Sequence, residues 1–242
     1  MAEAPSETPS ALRRPTGSLG ERVRRGLRRT DDLGFIEAGF TLLLFLAAVL
    51  LWSYGAFLTE ILLGATPLSP HLPPSSASLA DALWHLATAF LLALPTRHRW
   101  AIALAPALAL GLDIDHLFGS FFPTVVTRQA HAFLFVAMVG VALYVVRGRP
   151  SGLLASGAVL AHIGVDGGTF PLFAPLSTTF FPLTLAEQIA FLAVAAFLFV
   201  LSMRSYREIV SRRFGLPLIA AIVTMSAILV VAWPYIEPFT RG

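Results

Sequence analysis

Seven apolar stretches, each near the length that crosses a lipid bilayer, run through this chain of 242 residues. No other feature constrains its fold as much. Spanning a membrane takes roughly 20 mostly apolar residues, within about 17–25. On that rule the candidate helices are 35–57, 79–95, 100–118, 131–147, 152–170, 184–203 and 214–236, the second being the shortest. The expected fold class is all-α, a polytopic membrane bundle of about seven transmembrane helices. Composition agrees, because only 13% of residues are charged against 56% hydrophobic, where a soluble domain carries about 25% charged. Trp100, Tyr144, Trp233 and Tyr235 fall near helix ends, the level that amphipathic rings prefer.

The first 33 residues are different in kind. Rich in Pro, Ser, Thr and Arg, they bury too little apolar surface to fold alone and read as a disordered basic tail. The domain organisation is therefore a cytoplasmic tail, 1–33, followed by a transmembrane domain, 34–242. The stretch after the tail is longer than a signal-peptide core of about 7–15 residues and lacks a clear small-residue cleavage site, so it is expected to stay as an anchor. Pro-rich connections interrupt the chain at 66–74 and 171–182.

Arginine placement sets the orientation. With the N-terminus inside, fifteen of the seventeen basic residues lie in or beside inner segments, and only Arg128 and Arg241 fall outside. The topology is N-in/C-out in a cytoplasmic membrane. The arginines follow the membrane rather than marking a nucleic-acid partner. With no cysteine, disulfide frameworks, thiolate zinc sites, iron–sulfur clusters and cysteine nucleophiles are excluded.

An ionisable group inside a span is expensive, about 2.5–3.5 kcal/mol for Asp on insertion scales, and it usually faces a partner or a cavity. Such groups gather in the second, third and fifth candidate helices and at the start of the fourth: Asp81, His85, Asp113, Asp115, His116, His131, His162 and Asp166. The topology puts His85 about 9 Å below the outer surface, Asp113 about 7 Å, Asp166 about 6 Å and His162 about 12 Å, at 1.5 Å per residue. His131 sits at the outer mouth of the fourth helix. His162 and Asp166 share a face as an i, i+4 pair, and Asp113 and His116 as an i, i+3 pair. Asp115 points about 100° away from His116, so bringing both aspartates to one site requires the helix to loosen between Gly111 and Gly119. Gly164, Gly167 and Gly168 thin the fifth helix for close approach.

A mixed imidazole and carboxylate set suits zinc, manganese or iron. A divalent cation would also offset the cost of burying the carboxylates. Two other uses of the same residues stay open: an ion or proton pathway, and interhelical hydrogen bonding in a nonenzymatic membrane protein.

The order His85, then Gly-Leu-Asp-Ile-Asp-His (111–116), then Arg-Gln-Ala-His (128–131), then Gly-Ala-Val-Leu-Ala-His-Ile-Gly-Val-Asp (157–166) resembles the YdjM-like family of inner-membrane-associated proteins assigned as metal-dependent hydrolases. The resemblance covers about residues 79–183. It departs where the family carries a histidine before its arginine, since Val126 and Thr127 stand there, and where Ala130 and Ala132 replace the family's Thr and Ser. A remoter likeness to zinc-dependent phospholipase C lies in the His-x-x-x-Asp spacing and suggests phosphoester chemistry. The resemblance implies a metal-dependent hydrolase, and the depth of the cluster in the expected topology would place its work at the outer face of the membrane, on a lipid or other amphiphilic phosphoester. His85, Asp113, His116, His131, His162 and Asp166 would be the metal ligands. Asp115 would be a bridging ligand or general base, and Arg128, in an outer loop, would pair with phosphate.

Overall fold

The computed structural model describes residues 33–62, 79–115, 129–166, 169–174, 181–203, 220–224 and 226–228. Their regular elements are the helices α1 (Phe35–Leu62), α2 (Leu79–Ala93), α3 (Arg99–Gly111), α4 (Phe133–Arg147), α5 (Arg149–Asp166) and α6 (Leu185–Met203). Two-residue strands β1 (Thr169–Phe170) and β2 (Phe181–Pro182) pair antiparallel between α5 and α6, with Thr169 opposite Pro182. Residues 220–224 and 226–228 are also helical.

Tight turns join α2 to α3 and α4 to α5. The turn from α2 to α3 is a 3-10 segment, Leu94–Thr96, closed by Arg97 in the left-handed region (φ 55°) with its N–H donating to Leu94 O. One residue, Gly148, joins α4 to α5. Its φ of 95° is open to glycine, and its N–H donates to Tyr144 O. Pro150 follows in the first turn of α5, where a missing N–H costs nothing.

Helix α5 is the axis of the bundle and packs against each of the other five. Fourteen of its eighteen residues are buried, so it has no solvent stripe, as expected of a helix enclosed by others. Small residues make that possible. A Cβ on Gly157 would lie 2.7 Å from Phe199 Cε1 and 3.1 Å from Ala195 O, and one on Gly152 would lie 2.8 Å from Tyr144 N. Hydroxyls tie the outer helices to it: Ser151 Oγ and Thr41 Oγ1 are 2.7 Å apart, and Ser156 Oγ donates to Val136 O at 3.0 Å.

The all-α class expected from the sequence holds. Among the described residues, two helices are long and apolar enough to cross a membrane, Phe35–Gly55 and Leu185–Met203, by length and composition alone. The other expected spans are shorter or more polar. Helix α2 has 15 residues, α3 has 13 and α4 has 15, and 15 residues reach about 22 Å against roughly 30 Å of hydrocarbon. Helix α5 has the length, but it carries Gly, Ser, His and Asp. It also stops at Asp166, so Thr169 and Phe170 of the expected 152–170 span form a strand. Two glycines and Pro171 follow Asp166 in the sequence, signals that end a helix. The basic tail 1–32 and most of 214–236 lie outside the described residues.

A candidate metal centre

The site is assembled at helix ends. His85 lies in the second turn of α2 and His162 near the end of α5, with Asp166 as the last residue of α5. The chain leaves α3 through a 3-10 turn, Leu112–Asp115, that holds both Asp113 and Asp115. His131 lies in the bend just before α4. Residues two apart are separated by about 160° around an α-helix and about 120° around a 3-10 helix. Tightening, rather than the expected loosening, is therefore what lets Asp113 and Asp115 approach the same cluster from different sides.

Asp166 is the hub. Its Oδ1 is 3.4 Å from His85 Nε2, and its Oδ2 is 3.8 Å from His162 Nε2 and 3.9 Å from His131 Nε2. Asp113 Oδ1 lies 3.3 Å from His162 Nε2. The rings of His85 and His162 stack with centroids 4.1 Å apart, and His131 meets His162 edge-on at 4.7 Å. The three imidazoles are buried, whereas the carboxylates of Asp166, Asp113 and Asp81 are progressively more open, at 11%, 25% and 34% exposure. The acids thus form the mouth and the imidazoles the floor.

Each imidazole is held by its other nitrogen. His85 Nδ1 donates to Asp81 O at 2.9 Å, within its own helix. His162 Nδ1 donates to Ala109 O at 2.9 Å, across to α3. That carbonyl lies in the last turn of α3, where it also accepts from Leu112 N–H, and a carbonyl oxygen has two lone pairs to offer. His131 Nδ1 lies 3.2 Å from Asp115 Oδ2, which also accepts from Ala130 N–H at 3.2 Å. Carbonyl oxygens only accept, so the Nδ1 atoms of His85 and His162 carry a proton, and Nε2 is the nitrogen each ring turns toward the carboxylates. Those two Nε2 atoms are buried with no hydrogen bond.

Imidazoles aimed by Nδ1–H bonds, with Nε2 atoms beside carboxylates, are an arrangement that could hold a metal ion. Two sets of ligand atoms lie within 4.8 Å of one another: His85, His162 and Asp166, and Asp113, His131 and His162. Bonds of about 2.1 Å in a tetrahedral shell put ligand atoms about 3.4 Å apart, and the imidazole–carboxylate separations of 3.3 to 3.9 Å bracket that value. The buried groups could hold a metal ion.

Comparison with known proteins found no matching family model, curated protein or solved structure.

The structure thus brings together five of the residues that the sequence singled out as ligands: His85, Asp113, His131, His162 and Asp166. His116 and Arg128 lie outside the described residues. Asp115 belongs to neither ligand set; it sits against the opposite edge of the His131 ring from Nε2. Sequence reasoning gave no role to the carbonyls of Asp81 and Ala109, since a backbone acceptor leaves no mark in a residue pattern. Nor did it find Phe170, whose ring stacks on His131 at 5.7 Å.

Proposed function

We propose that this protein is a multi-pass cytoplasmic-membrane hydrolase that uses a divalent metal, with zinc suited to the ligand set and manganese or iron as alternatives. It would act at the outer face on a phosphoester whose headgroup lies level with the site, and it would belong with the YdjM-like proteins it resembles. The observation that carries this reading is the convergence of three imidazole Nε2 atoms and two carboxylates at one helix-end pocket.

His85, His131, His162, Asp113 and Asp166 would hold the ion. When bound, such an ion polarises the ester oxygen and acidifies water. The chain supplies the rest. Helices α2, α3 and α5 fix the ligand directions, and the buried imidazole floor excludes water from below. Asp115 is buried against His131 Nδ1 and Ala130 N–H, so the general-base role passes to Asp81, which also lies on the Nδ1 side of its histidine but is the most exposed carboxylate of the cluster. Arg128 remains the candidate for pairing with the phosphate.

Burial supports a multi-pass topology. Phe35, Phe40, Leu43, Leu51, Leu83, Leu134, Val141, Val145, Val194 and other large apolar side chains on α1, α2, α4 and α6 are exposed. A monomer in water rarely shows so much apolar surface, which marks a membrane or partner contact. Burial also favours a hydrolase over an ion pathway. Among the described residues, the buried ionisable groups are His85, Asp115, His131 and His162, all of one cluster, with no relay deeper in the bundle.

The test is to purify the protein from membranes, measure bound metal, and follow phosphate release from phospholipid monoesters in mixed micelles. One bound ion per chain and hydrolysis that His162→Ala abolishes are expected. A metal-loaded protein that releases no phosphate from any phosphoester while moving ions across vesicles would replace this reading with the transporter one.

A further inference from the structure

His131 differs from the other two imidazoles in both scaffold and support. His85 and His162 ride on helices and bond carbonyl oxygens at 2.9 Å through Nδ1, with the Asp81 carboxylate farther off at 3.7 Å from His85 Nδ1. His131 lies in the 129–132 bend, where no helical ladder fixes its direction. Two bonds anchor that bend from outside: Trp52 Nε1–H donates to Gln129 O at 2.9 Å, and Phe133 N–H donates to Leu172 O at 2.8 Å. The third anchor is Asp115 Oδ2, which takes the Ala130 N–H and faces His131 Nδ1, each at 3.2 Å. Asp115 is 1% exposed and His131 is fully buried. A buried carboxylate is costly to leave in an apolar site unless it collects donors, and here it collects two from adjacent residues.

We infer that Asp115 is a positioning residue: it fixes the Nδ1–H form of His131 and turns Nε2 toward the Asp166–His162 centre, without itself touching the ion or the substrate. This rests on the metal-site reading and assigns Asp115 a part that the sequence could not give it. A carboxylate behind an imidazole is a stronger acceptor than a carbonyl, so it raises the donor strength of the ligand it supports. His131 is then the one of the three imidazoles whose Nδ1 hydrogen-bonds a carboxylate, although the bend that carries it has no helical ladder. The link also couples the 3-10 turn after α3 to the entry of α4 at the floor of the site.

The experiment uses cobalt(II) as the probe ion, because its visible bands report ligand geometry while competition with a chelator reports affinity. The full chain is prepared in detergent as wild type, D115A, D115N and D113N, along with H131A and the H131A/D115N double variant. Wild type should bind one cobalt per chain. D115A should bind about 10–100-fold more weakly, the usual consequence of losing an outer partner, with shifted bands. D115N should recover most of the affinity and the wild-type bands, because its amide oxygen can accept from both Nδ1–H and Ala130 N–H. Adding D115N to H131A should change nothing further, since the effect runs through the ring. Should D115A fail to fold, the D115N spectrum and the double variant still decide the matter.

Wild-type affinity and bands in D115A would overturn the inference. So would a D115N loss as deep as that of D113N, which would make Asp115 a ligand, or a D115N effect that persists in the H131A background. Wild type without any bound cobalt would instead remove the metal reading itself, a result distinct from each of these.

Discussion

At the scale of single residues, His162 carries the most. It alone belongs to both ligand sets, it touches Asp113 and Asp166, and both neighbouring imidazoles pack on its ring. Its single Nε2 lone pair serves one ion. Both sets therefore describe one centre when read through His162. Replacing His162 by Ala is expected to abolish stoichiometric metal. Replacing His85, which belongs to one set and holds to Asp166, should weaken binding by roughly a hundredfold. Elemental analysis of the purified variants separates the two; equal losses would mean that His162 holds no special place. The ligand-type residues were legible in the sequence because Asp and His are conspicuous in an apolar chain. Their division of labour was not. Asp113 and Asp115 are two positions apart in the same motif, and only the local turn decides which one faces Nε2 and which one faces Nδ1.

At the scale of elements, helix ends and helix contacts were legible to different degrees. Existence and order of the helices followed from apolar runs bounded by Pro, Gly and Arg, and the starts of α1 to α6 all fall within three residues of the expected ones. Endings were harder. A hydropathy window does not see that α3 tightens after Gly111, or that Asp166 ends α5 and leads into a hairpin. Close approach was readable only as a glycine count, whereas the structure identifies which glycines matter. Gly157 faces the Phe199 ring and the Ala195 carbonyl of α6, a backbone atom that cannot move aside. Gly157→Ala should therefore cost about 1–3 kcal/mol by overpacking. Gly148→Ala should cost about 1–2 kcal/mol because φ 95° suits only glycine. Thermal melting in detergent measures both. A Gly157→Ala protein as stable as wild type would mean that α5 and α6 are not in the close contact described.

At the scale of the whole molecule, the two ends of the bundle have opposite chemistry. Helices α2 and α4 begin beside the site, and α3 and α5 end there. The reverse ends meet at turns carrying Arg97 and Arg99, and Arg147 and Arg149. Arg147 stacks over Phe40 and Arg99 over Trp100, whose ring meets Phe35, so the start of α1 belongs to the basic end. Among the described residues, the carboxylates and imidazoles of the site thus lie at one pole and Arg97, Arg99, Arg147 and Arg149 at the other, together with Glu37 and His98, the polarity that the positive-inside rule would give a bundle with its site facing outward. Gathering carboxylates at one buried pole also makes the fold depend on a counter-charge. Chelation should lower the melting temperature in detergent, by roughly 5–10 °C for an ion held at about 100 times its Kd, and re-addition should restore it. His162→Ala should show no such shift. The polarity itself is open to direct mapping, because the chain contains no cysteine and any single cysteine is a clean label. Ala186→Cys sits exposed beside Glu187 at the start of α6, on the site side, and Arg99→Cys sits exposed at the opposite pole. A membrane-impermeant maleimide applied to spheroplasts should label the first and reach the second only after permeabilisation. Labelling of both from outside would leave the bundle without a transmembrane orientation, and the reverse pattern would turn the site toward the cytosol.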